Sequence, residues 1–220
     1  MSKKTILLVE GDTDEAFMKP IIEREGLSPH LELHISHGKE KLLDHLPALI
    51  KTFSIVGAAI DLNDGDEERL YQSVQTRLQP KFEVTVVQPG VLKVDQASLI
   101  VIPLGLPGDQ ELAGLGISRH SIDDYILKIL LMDDRTVESL SGGRLRGLSL
   151  KEVIQKQLTL LRGQGLDVTS SKEVLLIAKA VMGFRASDAT LAGEVAKIAD
   201  VSLLNRVTSG LMGRIHQLVV

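Results

Sequence analysis

Carboxylates directly follow two apolar segments of the sequence. Glu10 comes after the segment Ile6–Val9, and Asp61 comes after Ile55–Ile60, with Asn63 two positions further on. A helical pattern follows each segment, so both segments are predicted to be strands of an α/β sheet. Ligands of such sheets bind at the carboxyl ends of the strands. If the two strands are neighbours, Glu10, Asp61 and Asn63 converge at one edge of the sheet, where their oxygen atoms suit Mg²⁺.

Most other carboxylates near the two strand ends have a structural explanation. Asp12 or Thr13 suits the N-cap of the first helix, and acidic residues in a first turn favour a helix N-terminus. A turn and a helix cap likewise explain the acids after the second strand, which are Asp64, Asp66, Glu67 and Glu68. Capping does not explain Glu10, which precedes the permissive Gly11. Nor does it explain Asp61, because a carboxylate that ends a buried strand needs a partner.

Apolar segments and helical patterns alternate through the first half of the chain. This alternation predicts an α/β fold with a Rossmann-like, mostly parallel sheet. The polar and apolar residues of the second strand alternate, so that strand is expected near an edge of the sheet. The predicted strands are Ile6–Val9, Leu31–Ile35, Ile55–Ile60, Val84–Val87 and Leu99–Ile102.

The last third of the chain is predicted to be a helical extension. We therefore expect an α/β domain over residues 1–135 and a helical C-terminal region over residues 136–220. Ser170 and Glu173 have the spacing of a capping box and mark the start of one of these helices. The segment Val174–Phe184 that follows is apolar nearly all round, which predicts a fully buried helix.

The composition excludes several classes of protein. The chain has no cysteine, so a disulfide framework, a cysteine-ligated zinc and a thiol nucleophile are excluded. Aromatic residues make up 3% of the chain, which argues against a surface that stacks bases. No segment approaches the roughly 18 apolar residues of a membrane span, and the apolar segment before Glu10 is too short for a signal peptide. These features predict a cytoplasmic protein that does not enter the membrane.

Charge is distributed unevenly along the chain. Residues 1–135 contain 14 Lys and Arg against 22 Asp and Glu, whereas residues 136–220 contain 11 against 7. An acidic half that holds a cation and a mildly basic half that meets phosphate would suit an enzyme that acts on nucleic acid. Ordinary scatter of surface charge is the competing explanation, because no basic run is dense enough to form a nucleic-acid patch.

The first strand end carries a resemblance to a known family. Ile-Leu-Leu-Val-Glu10-Gly11, with Asp14 three positions later, resembles the first motif of the Toprim domain found in topoisomerases, primases and OLD-family nucleases. Gly38 stands where that family has a glycine after its second strand. Asp61-x-Asn63 stands where the family has Asp-x-Asp on its third strand. The resemblance covers about residues 4–103.

A later acidic pair extends the resemblance. Asp123 and Asp124 lie in a segment similar to the acidic motif that starts a later helix in small stand-alone Toprim proteins. The resemblance implies Mg²⁺ or Mn²⁺ as cofactor, nucleic acid as partner and phosphodiester chemistry, most plausibly that of a nuclease. It implies that Glu10 is the general acid or base and that Asp61 and Asn63 are metal ligands.

Asn63 is the departure from the family pattern. A neutral amide replaces a carboxylate there, so the site loses one negative charge and is expected to bind metal more weakly. Asp14 and Asp66 are the further candidates for metal ligands, since Asp66 could replace the missing charge. If nothing replaces it, the chain is a binding module that keeps the fold without the chemistry.

A receiver domain is a second alternative. In that interpretation Asp61 would be the phospho-acceptor at the end of the third strand. Two features disagree with it. Gly11 interrupts the acidic pair expected after the first strand, and Val101-Ile102-Pro103-Leu104 lacks the expected Lys-Pro.

A glycine-rich segment in the second half could bind phosphate. Arg144 and Arg146 lie between Gly142 and Gly147, and backbone amides in such a segment can cradle an anion. It lacks the Gly-Lys-Ser/Thr of a P-loop, and its composition favours a flexible linker. The helices of the C-terminal tail are expected to serve as a packing lid or as the contact surface of a homo-oligomer.

Overall fold

A six-stranded sheet forms the centre of the protein. The computed structural model describes residues 5–219. The strands lie side by side in the order β2-β1-β3-β6-β5-β4. The first four strands in that order are parallel, whereas β5 pairs antiparallel with both β6 and β4. The strands are β1 (Thr5–Val9), β2 (Leu31–Ile35), β3 (Ile55–Asp61), β4 (Val84–Gln88), β5 (Val91–Val94) and β6 (Ala97–Leu104).

Helices cover both faces of this sheet. Three follow β1, β2 and β3 in turn, and seven come after β6. The helices are α1 (Asp12–Arg24), α2 (Lys39–Thr52), α3 (Glu67–Leu78), α4 (Gln110–Gly114), α5 (Asp123–Met132), α6 (Asp134–Leu140), α7 (Leu150–Gly163), α8 (Ser171–Met182), α9 (Asp188–Ile198) and α10 (Val201–His216). The predicted Rossmann-like fold with a helical extension is therefore confirmed.

Alternate residues of the central strands supply two separate apolar cores. In β1, Ile6 and Leu8 pack with α2 and α3 on one face, whereas Leu7 and Val9 pack with α1 and α5 on the other. Successive side chains of a strand point to opposite faces, so a strand buried on both sides must be apolar throughout. This requirement accounts for the uninterrupted apolar character of β1 and β3.

The C-terminal helices share the larger of these cores with the sheet. Residues of α7, α8, α9 and α10 belong to the same buried cluster as residues of α1 and β6. A small residue makes room for this layer, because a Cβ built on Gly57 of β3 would lie 2.7 Å from the Leu218 side chain. The helical region is thus packed directly against the α/β part of the chain.

Two expectations about individual elements were wrong. The strand β5 was not predicted, although Pro89 and Gly90 mark the tight turn that joins it to β4. Helix α8 is buried on one face only, since Leu176 is 50% exposed. A fully buried helix was expected because the segment is apolar nearly all round. Leu176 contributes to that pattern although it is exposed, since apolar residues are also common on protein surfaces.

The strand order positions the two strand ends that carry carboxylates. Strand β1 lies between β2 and β3, so β2 is at an edge as expected and β1 and β3 are parallel neighbours. Their carboxyl ends therefore meet at one edge of the sheet. None of the helices formed by residues 5–219 has both the length and the apolar character that a membrane crossing requires.

Candidate active-site cleft

A cleft of about 580 Å³ opens at the carboxyl ends of β1 and β3. Its residues come from three parts of the chain: the two strand ends, the segment that leads into α5, and the helical region around α8. The residues that line it include Glu10, Gly11, Thr13, Asp14, Asp61, Asn63, Arg119, His120, Ser121, Ile122, Asp123, Ser170, Lys172, Glu173, Leu176 and Asp188. The fold therefore brings the carboxylates that end β1 and β3 to one place.

Glu10 is held between the two strand ends. Its Oε1 accepts a hydrogen bond from the backbone N–H of Asp61 at 2.9 Å, which joins the end of β1 to that of β3. The backbone carbonyl of Glu10 accepts from the N–H of Gly38 at 2.7 Å. Burial raises the pKa of the Glu10 carboxyl, and the bond from Asp61 and nearby Lys39 oppose that rise. Gly38 thus contributes to positioning Glu10.

Asp14 caps α1 and is nearly inaccessible to solvent. The N-cap is Gly11, and the N–H of Gly11 donates to Asp14 Oδ2 at 2.8 Å. The prediction of Asp12 or Thr13 as the N-cap was therefore wrong by one or two residues. Burial raises the pKa of Asp14 to about 7, and repulsion from Glu10 adds to the effect. Capping alone does not require so deeply buried a carboxylate.

Asp61 and Asp123 complete a group of four carboxylates. The Oδ1 of Asp61 accepts from the N–H of Ile122 at 3.1 Å. Burial raises the pKa of Asp61 to about 8, and repulsion from Asp14 and Glu10 contributes. Burial also raises the pKa of Asp123 to about 6, partly offset by a hydrogen bond from Ser121 Oγ. These four carboxylates oppose one another's ionisation.

The remaining acids of the cleft already have partners. Glu173 accepts from the N–H groups of Thr169 and Ser170 in the capping box of α8, as the sequence predicted. Asp188 forms an ion pair with Lys179. Among residues 5–219, by contrast, no cationic side chain lies within ion-pair distance of the four carboxylates. The unpaired negative charge of the cleft is therefore concentrated on those four.

The fit to a metal ion depends on how many ligands the ion needs. Within the described part of the chain, no three His, Cys, Asp or Glu side chains form a ready-made metal-binding group. Backbone N–H groups occupy one oxygen each of Glu10, Asp14 and Asp61, which leaves one oxygen of each carboxylate for a ligand. Mg²⁺ usually keeps several waters and binds through one or two carboxylates and substrate phosphates. The residues therefore fit a hydrated Mg²⁺ or Mn²⁺ rather than a cage of protein ligands.

Asn63 lies in the cleft, and backbone bonds hold its position. Its φ is +56°, a left-handed conformation that Asn adopts more readily than most residues. Its N–H and carbonyl both bond to the backbone of His120, at 2.7 and 2.6 Å. The side-chain Nδ2 donates to the carbonyl of Asp61 at 3.3 Å. Asn63 thus stabilises the turn after β3, and its amide adds no charge to the cleft.

Asp124 lies behind the cleft and contacts His120. It is fully buried, and its Oδ2 lies 2.7 Å from His120 Nδ1 and accepts from the N–H of Leu106 at 2.7 Å. Its Oδ1 is buried without a hydrogen-bond partner among the described residues. Of the predicted acidic pair, only Asp123 lines the cleft. Sequence reasoning missed His120, although its spacing of four from Asp124 is a weak signal.

Three predicted site residues lie away from the cleft. Asp66 is the N-cap of α3, where it accepts from the N–H of Arg69 at 2.8 Å and forms an exposed ion pair with that residue. Arg146 lies 3.6 Å from Glu138 at an exposed site. The guanidinium of Arg144 lies close to Gly183, just after α8. The structure therefore brings Glu10, Asp14, Asp61, Asn63 and Asp123 together, but not Asp66, Arg144 or Arg146.

The match to a known protein family lies in the α/β part of the chain. Residues 4–111 match a family model described as a protein of unknown function (DUF3226). No curated protein and no solved structure shows a significant match. The matched segment includes Glu10, Asp14, Asp61 and Asn63, and it ends before Asp123. The α/β part of the chain is therefore similar to a family of unknown function.

Proposed function

We propose that this protein is a Toprim-like, Mg²⁺-dependent enzyme that cleaves phosphodiester bonds of nucleic acid. The observation that carries the proposal is the group of four desolvated carboxylates, of which Glu10 and Asp61 follow neighbouring parallel strands. Their charges repel one another and are not balanced by any ion pair of the described residues. A divalent cation would offset that repulsion, and strand ends of this kind are where α/β proteins bind ligands.

The carboxylates have different roles in this proposal. Asp14 and Asp61 would hold a hydrated cation through the oxygens that backbone N–H groups do not occupy, with Glu10 beside it. Bound Mg²⁺ supplies a Lewis acid that polarises a phosphate oxygen. Glu10 would instead transfer a proton at Oε2, the oxygen that the Asp61 N–H does not occupy, since burial raises its pKa and so favours the protonated form.

Cleavage assays with matched variants test the proposal. Supercoiled plasmid, single-stranded DNA and single-stranded RNA should each be tried with Mg²⁺, Mn²⁺ or EDTA. We expect cleavage of at least one substrate that requires the cation and is lost in Glu10→Gln and Asp61→Asn. Asp12→Asn is the control, because it removes an exposed carboxylate of α1 that does not line the cleft. Cleavage that survives both active-site substitutions would eliminate the mechanism.

A second candidate is a nucleic-acid or metal-binding module without catalysis. Asn63 favours it, because the neutral amide bonds to the backbone of Asp61 and leaves one charge fewer than the family pattern. The two candidates are separated by calorimetric measurement of Mg²⁺ binding, together with cleavage assays, on the unmodified chain and on Asn63→Asp. Binding and cleavage that appear only in Asn63→Asp would support the inactive module. Cleavage by the unmodified chain would exclude it.

The receiver alternative has less support from the sheet. A receiver-type sheet has the order 2-1-3-4-5. Here β3 is followed by β6, and β5 pairs antiparallel with both β6 and the edge strand β4. The segment after Asp61 also continues into a turn bonded to His120. The sheet order therefore argues against a phospho-acceptor role for Asp61.

A further inference from the structure

Two cationic side chains line the cleft in addition to its carboxylates. Arg119 precedes α5, and Lys172 lies in the first turn of α8. Neither forms an ion pair within 4.0 Å among the residues that the structure describes. Both residues are exposed, so their charged groups can contact a ligand that enters the cleft.

Backbone hydrogen bonds fix Arg119 relative to α8. The N–H of Arg119 donates to the carbonyl of Thr169 at 3.1 Å, and its carbonyl accepts from the N–H of Ser171 at 3.4 Å. The next residue, His120, is joined by two backbone bonds to Asn63 at the end of β3. One short segment therefore connects the acidic strand end to the start of α8, and the backbone that carries the two cations is fixed relative to that strand end.

Side-chain packing reinforces this segment. The buried Asp124 holds His120 through the 2.7 Å contact with Nδ1. The His120 backbone and Cβ pack against Gly105, whose φ is +137°, and a Cβ at Gly105 would lie 2.6 Å from the His120 Cβ. Gly105 is thus required both for its conformation and for the space that it leaves. The segment carrying Arg119 is therefore held from both sides.

Lys172 occupies a position that α8 itself does not favour. Cations are unfavourable near the positive end of a helix dipole, and the capping box of Ser170 and Glu173 already completes this helix start. Lys172 is near enough to Asp123 to lower that residue's pKa. Its placement is therefore explained by negative charge at the cleft, from Asp123 and from an anionic ligand, rather than by the stability of α8.

The chemistry of the lining identifies the ligand. Guanidinium and ammonium groups bind phosphate through charge-assisted hydrogen bonds. The lining residues that the structure describes include no Phe, Tyr or Trp, so the cleft offers bases none of the large aromatic side chains of stacking platforms. We propose that Arg119 and Lys172 form a phosphate-binding pair that holds the backbone of a nucleic-acid strand beside the carboxylates, without reading its sequence.

This inference deepens the proposed function and rests on it for the nature of the ligand. It also assigns a role to the helical C-terminal region. Helix α8 and the segment before α5 supply the phosphate contacts, whereas the two strand ends and the first turns of α1 and α5 supply the carboxylates. Binding in the absence of cleavage is therefore a separate measurement from catalysis, and each can fail without the other.

Fluorescence anisotropy with a labelled single-stranded DNA of twelve nucleotides tests the pair. The full chain and the variants Arg119→Gln and Lys172→Gln should be titrated in Mg²⁺ across a range of salt concentrations. We expect each substitution to weaken binding roughly tenfold, and the salt slope to fall by about one for each lost phosphate contact. An oligonucleotide of different sequence should bind with similar affinity.

Matched controls separate the pair from general charge effects. Arg185→Gln and Lys156→Gln each remove an exposed cation that does not line the cleft, and both should bind within twofold of the unmodified chain. The charge-preserving variants Arg119→Lys and Lys172→Arg should retain most of the affinity. Circular dichroism shows whether any variant has lost its fold.

The outcomes distinguish this inference from the proposed function. Loss of DNA binding in Arg119→Gln and Lys172→Gln without detectable cleavage by any form would support the pair and contradict the nuclease. Metal-dependent cleavage with unchanged DNA binding in both variants would contradict the phosphate-binding role of Arg119 and Lys172 and would leave the nuclease proposal intact. If the unmodified chain binds no oligonucleotide at all, the phosphate-binding role of Arg119 and Lys172 is contradicted too.

Discussion

Replacement of Asp61 by Asn should stabilise the metal-free protein. The carboxylate is desolvated and repelled by Asp14 and Glu10, which raises its pKa from 3.8 to about 8. A carboxyl whose folded pKa is raised stabilises the fold below its unfolded pKa, and this contribution is lost as pH rises toward the folded pKa. In Asp61→Asn the amide oxygen can still accept the hydrogen bond from Ile122, while the charge is absent at every pH.

The pKa shift sets the size of the effect. A shift of about four units at 1.36 kcal/mol each gives an upper limit of roughly 5–6 kcal/mol at pH 8. Because part of the repulsion disappears when Asp14 binds a proton, we expect about half of that, or roughly 2–3 kcal/mol. For a domain of this size this corresponds to a rise in Tm of about 5–10 °C.

Thermal unfolding in EDTA measures the effect. Wild type and Asp61→Asn should be compared at pH 8 and at pH 5, with Asp12→Asn as the exposed control. We expect the gain at pH 8 to shrink by more than half at pH 5, where Asp61 is protonated in the folded state, and Asp12→Asn to change little at either pH. An Asp61→Asn protein that is equally stable or less stable at pH 8 would refute the account of mutual repulsion.

Three further predictions concern the metal and the packing around the site. Mg²⁺ should raise the Tm of wild type more at pH 8 than at pH 6, because carboxyls with pKa near 7–8 must lose protons to bind it; the rise should be absent in Asp61→Asn. Gly105→Ala should lower DNA affinity and stability together, because the new Cβ would displace His120, as anisotropy and chemical denaturation would show. Gly57→Ala should cost about 1–3 kcal/mol of unfolding free energy without altering Mg²⁺ affinity, because its Cβ would crowd Leu218; unchanged stability in urea would contradict the close packing of the C-terminal segment.

The strand ends were predictable because their signals are local. An apolar segment that stops at Glu10 or Asp61 identifies both a buried strand and a carboxylate at its end, and a parallel sheet brings such ends together. The helix start at Ser170 was predictable for the same reason, since a cap acts within one turn. The fold class follows from such signals repeated along the chain.

The remaining parts of the cleft depend on contacts between residues that are distant in the sequence. Arg119 and Lys172 lie 53 positions apart, and only the bonds between Arg119 and the start of α8 bring them to the same place. Asp124 belongs to an acidic pair that suggested a site residue, but the helix turns its carboxylate inward to His120. Strand β5 has only four residues, which is too short to give a clear pattern of its own.

Crystals soaked in Mn²⁺ and measured at the manganese absorption edge test the central claim most directly. The account predicts an anomalous difference peak among the carboxylates of Glu10, Asp14 and Asp61, and no peak there in crystals of Asp61→Asn. A cleft without a peak in wild-type crystals at millimolar Mn²⁺, or a peak that remains unchanged in Asp61→Asn, would contradict it.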